Sequence, residues 1–216
     1  MRSFNLQDLL ALLEALKWTV ALVAVALALG GPLALGLSLM RTGKASVPRL
    51  VSTAFLEIVQ GIPLLGLLMF FYFGIPVFLG FDVPALAAVG IAYAIYTAAF
   101  LGDIWRGGIQ AIKHAQWEAA ACLGITRWQQ FRYVIAPQAF RIALPATVGF
   151  LVQLIKNTSL ASVVGFVELA RAGQIASAGT FQPLLIYSVV AAIYFAICFP
   201  LTSWSRKLEA RLNGAR

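Results

Sequence analysis

Apolar stretches recur along the whole chain, separated by shorter segments in which charge collects. A bilayer core about 30 Å thick is crossed by roughly 20 apolar residues in a helix. Runs such as ALVAVALALGGPLALGLSLM at 21–40 lack the period-two alternation of a barrel strand. Backbone groups in lipid must be satisfied within the segment, so these runs read as helices. Five spans are predicted, at about 18–40, 50–73, 83–102, 138–156 and 184–204, with Trp18 and Trp204 at interface-type positions. The third and fourth carry small residues that let helices approach closely. Pro32, Pro63 and Pro145 fall inside spans. Ahead of the first span, residues 1–17 carry Arg2, Asp8, Glu14 and Lys17, and FNLQDLLALLEALKW is amphipathic. A surface-lying helix leading into the first span is expected there. That span is too long for a signal core and shows no clear small-residue cleavage site, so it reads as retained.

Composition agrees with this pattern. Apolar residues make up 61% of the chain and charged residues 11%, and mean hydropathy is +0.88. A soluble domain of this size needs far more polar surface. The expectation is an all-α integral membrane protein with about five transmembrane helices, in a single domain over residues 1–216. The net charge of +8 does not point to nucleic acid, because the basic residues lie between apolar runs. One side collects Arg41, Lys44 and Arg49, then Arg106, Lys113, Arg127, Arg132 and Arg141, then Arg206, Lys207, Arg211 and Arg216. The other side holds only Arg2, Lys17, Lys156 and Arg171. Basic residues favour the cytoplasmic face, so the N-terminus is expected outside and the C-terminus in the cytoplasm. Cys122 falls in a charged loop and Cys198 in an apolar run, which gives no disulfide framework.

Ionisable and polar residues within spans are costly, which makes them functional candidates. Glu57 and Gln60 share one face of the second span, where they line a substrate path or fix packing through an interhelical hydrogen bond. Lys156, Asn157, Thr158 and Ser159 end the fourth span, as path-lining groups or as snorkelling and capping ones. Glu168 and Arg171, three apart, form a local ion pair or a gate contact. Asp103 and Arg106 read as a pair at the cytoplasmic end of the third span. His114 has no cluster of metal-ligand spacing around it, and no catalytic triad or carboxylate pair is legible. Neither a metal site nor a catalytic residue is expected.

The segment 103–137, DIWRGGIQAIKHAQWEAAACLGITRWQQFRYVIAP, is the one long stretch between spans. WEAAACLG makes a short helix that Gly124 ends, and Thr126 is an N-cap for a second helix. Pro137 punctuates before the fourth span. A helix–turn–helix held between two spans suits being gripped by a soluble partner.

Glu118-Ala119-Ala120, three residues, Gly124, nine residues, then Val134-Ile135-Ala136-Pro137 resembles the signature of permease subunits of ATP-binding-cassette importers. Val134 replaces the more usual Ile, and Ala136 replaces Leu. Segments 105–145 and 156–174, QGIPLL at 60–65, the first span and the Glu209–Arg211 pattern are similar to the polar amino acid branch (His/Glu/Gln/Arg/opine type). The resemblance covers nearly the whole chain beyond residue 15. It implies a type I importer-like permease whose helix at Glu118, Ala119, Ala120 and Gly124, within a coupling loop at 106–137, docks in a groove of the ATPase. ATP-driven closure of two ATPase subunits would then rock paired permeases between outward- and inward-facing states. The branch often carries Arg-Gly-Thr-Pro where this chain has Gln60-Gly61-Ile62-Pro63. Gln offers only neutral hydrogen bonds where Arg offers a permanent charge to a carboxylate.

Uphill transport requires work, and no nucleotide site is legible. At Gly43-Lys44 the phosphate-loop pattern fails, with Ser38 in place of the first Gly and Ala45 in place of Ser/Thr. ATP and Mg would therefore be used by a partner ATPase dimer, and this chain would bind no cofactor. Five spans also make a thin pore wall, so a second identical or related permease is expected across a two-fold axis. The resemblance further implies an extracytoplasmic solute-binding protein and a multi-pass location in the bacterial inner membrane. The alternatives are a permease for another small polar solute, an autonomous channel or secondary carrier, and an intramembrane hydrolase, which would need a nucleophile and base at membrane depth.

Overall fold

The computed structural model describes residues 3–214, so the basic residues Arg2 and Arg216 lie outside the described residues. The described chain is helical from end to end. Helix α1 (Leu6–Thr42) is followed by α2 (Ser46–Gly61), α3 (Leu64–Met69) and α4 (Ile75–Leu79), the last two joined by a π turn over Phe70–Gly74. Next come α5 (Ala85–Gln110), the short α6 (His114–Cys122) and α7 (Arg127–Gln129), which runs through a second π turn, Gln130–Ile135, into α8 (Ala136–Asn157). A 3₁₀ turn (Thr158–Ser162), α9 (Leu169–Thr180) and α10 (Pro183–Gly214) complete it. Among the described residues, four helices are long and apolar enough to cross a membrane, and a fifth crossing results if the bent pair Ser46–Gly61 and Leu64–Leu79 counts as one span.

Three sequence expectations need correction. The first is the surface-lying N-terminal helix. Leu6–Thr42 is a single helix of 37 residues, about 55 Å long at 1.5 Å per residue. It outruns the hydrocarbon layer, which gives Asp8, Glu14 and Lys17 room near its start. Its amphipathic face meets protein: Leu12, Ala15 and Thr19 are buried, and Leu12 packs with Leu169, Ile186 and Val190. Asn5 and Asp8 cap the start reciprocally, each side chain accepting the other's backbone N–H at 3.1 Å.

The second is the spanning helix at about 50–73, which is not one continuous helix but a pair bent by 98° at Gly61-Ile62-Pro63. Ile62 is extended at φ −99°, ψ 128°, because a residue preceding proline is pushed out of the helical region. The third is the break at Pro137, where the helix instead continues. The N–H of Ala136 reaches back five residues to the carbonyl of Phe131, and Pro137 follows in the first turn of α8. A π turn loosens the ladder where proline has no N–H to give.

Helix α5 is the centre of the bundle, packing against α1, α2, α3 and α8. Between apolar helices in lipid, close van der Waals fit carries the association. Glycines supply that fit. A methyl group added to Gly30 would lie 2.5 Å from the carbonyl oxygen of Ala94, and one added to Gly108 would lie 2.9 Å from that of Ala139. The core around this contact includes Leu22, Ala26, Val89, Ala92 and the fully buried Tyr93.

Candidate functional site

Helix α6 sits at one end of the bundle, across the neighbouring ends of α5 and α8. Ala120 is buried and Trp117 half-buried, the latter packing on the cluster of Ile109, Ile112, Ile135 and Ala139. The opposite face is open: Glu118, Ala119, Ala121, Cys122 and Leu123 are exposed. Glu118 pairs with His114 Nδ1 at 3.0 Å. The turn after α6 is closed by Gly124 at φ 69°, a left-handed conformation that costs an L side chain roughly 1–2 kcal/mol. Thr126 then caps α7: its Oγ1 accepts from the Gln129 N–H at 3.3 Å, and its own N–H donates to Gln129 Oε1 at 2.9 Å. The buried Gln130 donates to the Ile125 carbonyl at 2.9 Å, tying the turn to the helix behind it. Of the Glu-Ala-Ala-x-x-x-Gly residues, Glu118 and Ala119 therefore face outward. Ala120 faces the bundle, where a larger side chain would lift the helix, and Gly124 makes the turn.

Asp103 and Arg106 pair as expected, at 2.9 Å. Arg41 of α1 joins them at 2.7 Å, a third member not anticipated from sequence.

The candidates within the spans fall into separate environments. Glu57 and Gln60 are exposed, and Gln60 donates to the Ala99 carbonyl at 3.4 Å, linking the bend to α5. Asn157 faces α5. Its amide donates to Tyr96 Oη at 3.3 Å and accepts from Gln153 at 3.0 Å, while its carbonyl accepts from Tyr93 Oη at 2.6 Å. Tyr96, Phe100 and Phe150 stack beside it. Lys156 turns the other way, into a cavity of about 450 Å³ lined by Tyr194, Cys198 and Thr202 of α10. Thr158 and Ser159 donate to backbone carbonyls three residues back, at 2.7 and 2.8 Å.

Glu168 is fully buried in the loop before α9. Its carboxylate accepts from the backbone N–H groups of Ala170 and Arg171 and from Tyr194 Oη, all at 2.9 Å. Thr19 of α1 completes the knot by accepting from the Leu169 N–H at 3.2 Å. Burial pushes the Glu168 carboxyl above the usual range, against the pull of the two backbone N–H groups. The Glu168–Arg171 ion pair does not form, because the Arg171 guanidinium goes to Gln174 at 2.9 Å. Glu168 is a helix cap. Tyr93, Tyr96, Gln153, Tyr194 and Thr19 were not singled out from sequence. Tyr93 and Tyr96 carried a signal, since two phenols three residues apart in an apolar span need partners.

Comparison with known proteins agrees with this architecture. Residues 26–214 match the family described as the binding-protein-dependent transport system inner membrane component. The glutamine transport system permease protein GlnP of Escherichia coli (strain K12) is 35% identical over 203 residues, 94% of this chain and 93% of its own. The probable amino-acid ABC transporter permease protein YckA of Bacillus subtilis (strain 168) is 33% identical, over 92% of this chain and 88% of its own. Among solved structures, an amino acid ABC transporter crystallised with histidines aligns with a TM-score of 0.85 at 31% identity, covering 97% of this chain and all of the other. The MetNI methionine ABC transporter, at 20% identity and a TM-score of 0.71, shares the fold. A chain with this fold, these relatives and several apolar helices is a multi-pass inner-membrane protein, and it belongs to the binding-protein-dependent transport system inner membrane component family, the permease subunits of ABC importers.

Proposed function

We propose that this chain forms one wall of the path by which an ATP-driven importer carries a polar amino acid inward, and that α6 receives the mechanical input from a separate ATPase. The observation that carries the reading is the build of α6. It is packed on one face, capped at the turn behind it, and open along Glu118, Ala119 and Leu123. In this reading the N-terminus is outside and α6 faces the cytoplasm, in keeping with the distribution of basic residues. The importer contains a second identical or homologous permease, an ATPase dimer that uses ATP and Mg, and an extracytoplasmic solute-binding protein. The relatives named for glutamine and for amino acids support the cargo class. The neutral amides of Gln60 and Asn157 suit a zwitterion better than a fixed anion. Lys156, Thr158, Ser159 and Glu57 stand as path candidates. Glu168 is assigned instead to holding the outer end together.

Reconstitution tests this directly. The permease complex in proteoliposomes should take up labelled glutamine or another polar amino acid only when ATPase, ATP and binding protein are all present. Uptake without ATPase would replace this reading with a channel or secondary carrier.

A further inference from the structure

A cavity of about 790 Å³ lies between the end of α1, the start of α2 and the junction of α5 with α6. Its floor is apolar, with Leu39 and Ile109. Its rim is basic, with Arg41, Arg49, Lys113 and His114, and no carboxylate lines it. Two of these four are occupied, Arg41 by Asp103 and His114 by Glu118. Arg49 and Lys113 make no ion pair among the described residues and are exposed. The volume suits a small ligand, and two uncommitted cations over a greasy floor suit an amphiphile with an anionic head. The apolar lining continues through the half-buried Trp117 and Phe131, a surface that a free anion would leave bare and that the upper part of an acyl chain would cover.

We infer that this cavity holds the phosphate headgroup of an anionic phospholipid from the cytoplasmic leaflet, with Arg49 and Lys113 gripping the phosphate and the upper acyl carbons resting on the apolar lining at Leu39, Ile109 and Phe131. Basic pockets between helix ends at the cytoplasmic face are the expected form of such a site. The lipid would brace the α1–α2 and α5–α6 connections against each other, next to the helix assigned to receive the ATPase. The inference rests on the orientation proposed above and is independent of the cargo.

The test uses the full permease–ATPase complex in nanodiscs. Phosphatidylglycerol is titrated into phosphatidylcholine discs, with thermal midpoint and lipid retention in native mass spectrometry as readouts. A saturable rise in midpoint and retained phosphatidylglycerol are expected. The Arg49→Gln/Lys113→Gln variant should retain it roughly thirtyfold more weakly, two contacts each worth about a factor of five. Arg206→Gln/Lys207→Gln, with the same charge loss elsewhere, should behave as wild type. Charge-conserving Arg49→Lys and Lys113→Arg should keep the lipid. The inference is overturned by equal loss in both double variants, by an absence of phosphatidylglycerol preference in the wild type, or by an equal midpoint rise with inorganic phosphate in phosphatidylcholine discs. It is also overturned if Arg49→Gln/Lys113→Gln releases the ATPase but keeps the lipid, since the rim would then be a protein contact. Impermeant labelling at Lys44→Cys reads the orientation separately, so a reversed topology is told apart from an empty pocket.

Discussion

The two ends of the bundle are built differently. At the end that holds Glu168, buried polar groups tie three helices together: Glu168 caps α9 and accepts from Tyr194 of α10, while Thr19 of α1 accepts from the first N–H of α9. At the α6 end, the contacts beneath α6 are mainly apolar and its own turn is closed by local caps; the Arg41–Asp103 ion pair nearby, at 2.7 Å, joins α1 to α5 and leaves α6 out, and the charged residues of α6 face outward. Buried networks fix a geometry because any missing member leaves an unsatisfied group. An apolar seat under an exposed helix tolerates changes on its open face. One end keeps helices in register, and the other leaves open the face of α6 that is proposed to receive the ATPase.

Substitutions separate these roles, and the largest effect is expected at Glu168. Glu168→Leu leaves three donors without their acceptor, each worth about 1–3 kcal/mol, so the midpoint in detergent should fall sharply and monodisperse protein should be scarce. A Glu168→Leu protein as stable as wild type would mean the knot does not hold this end of the bundle together. Tyr194→Phe removes one donor from the same carboxylate and should cost about 1 kcal/mol, read as a small midpoint shift with uptake largely preserved.

At the other end, stability and coupling should part company. Gly124→Val forces a β-branched residue into the left-handed region, a local strain of roughly 1–2 kcal/mol. It should reduce ATP-driven uptake while the chain still inserts; full uptake would show that the turn is not needed. Glu118→Lys should leave the midpoint within about 0.5 kcal/mol of wild type, as surface changes do. It should also reduce ATPase co-purification or coupling. Normal transport in Glu118→Lys would remove this residue from the docking surface.

Much of this was legible in the sequence because its signals are local. The apolar runs gave the spans, the EAA and glycine spacing gave α6 and its turn, and Thr126 gave the next cap. What was hidden depends on contacts between distant segments or on backbone alternatives. Residues 6–17 look amphipathic whether their apolar side meets headgroups or the α9–α10 pair, so the buried position of Leu12 could not be read. Pro63 and Pro137 look alike in the string. One follows an extended residue and bends the chain by 98°, while the other is absorbed by a π turn. Glu168 and Arg171 have the spacing of an ion pair, but the start of α9 offered the carboxylate two N–H groups and the guanidinium found Gln174.

In the proposed orientation α6 faces the cytoplasm, open for a partner to grip. The native Cys122 is exposed at the end of α6 and Cys198 is buried, so a Cys198→Ala chain reports on α6 alone. Labelling with a membrane-impermeant maleimide, in right-side-out and inverted vesicles, is the most direct measurement. Modification of Cys122 is expected only in inverted vesicles, slowed when the ATPase is bound. Modification from the outer face, or an equal rate with and without the ATPase, would contradict it.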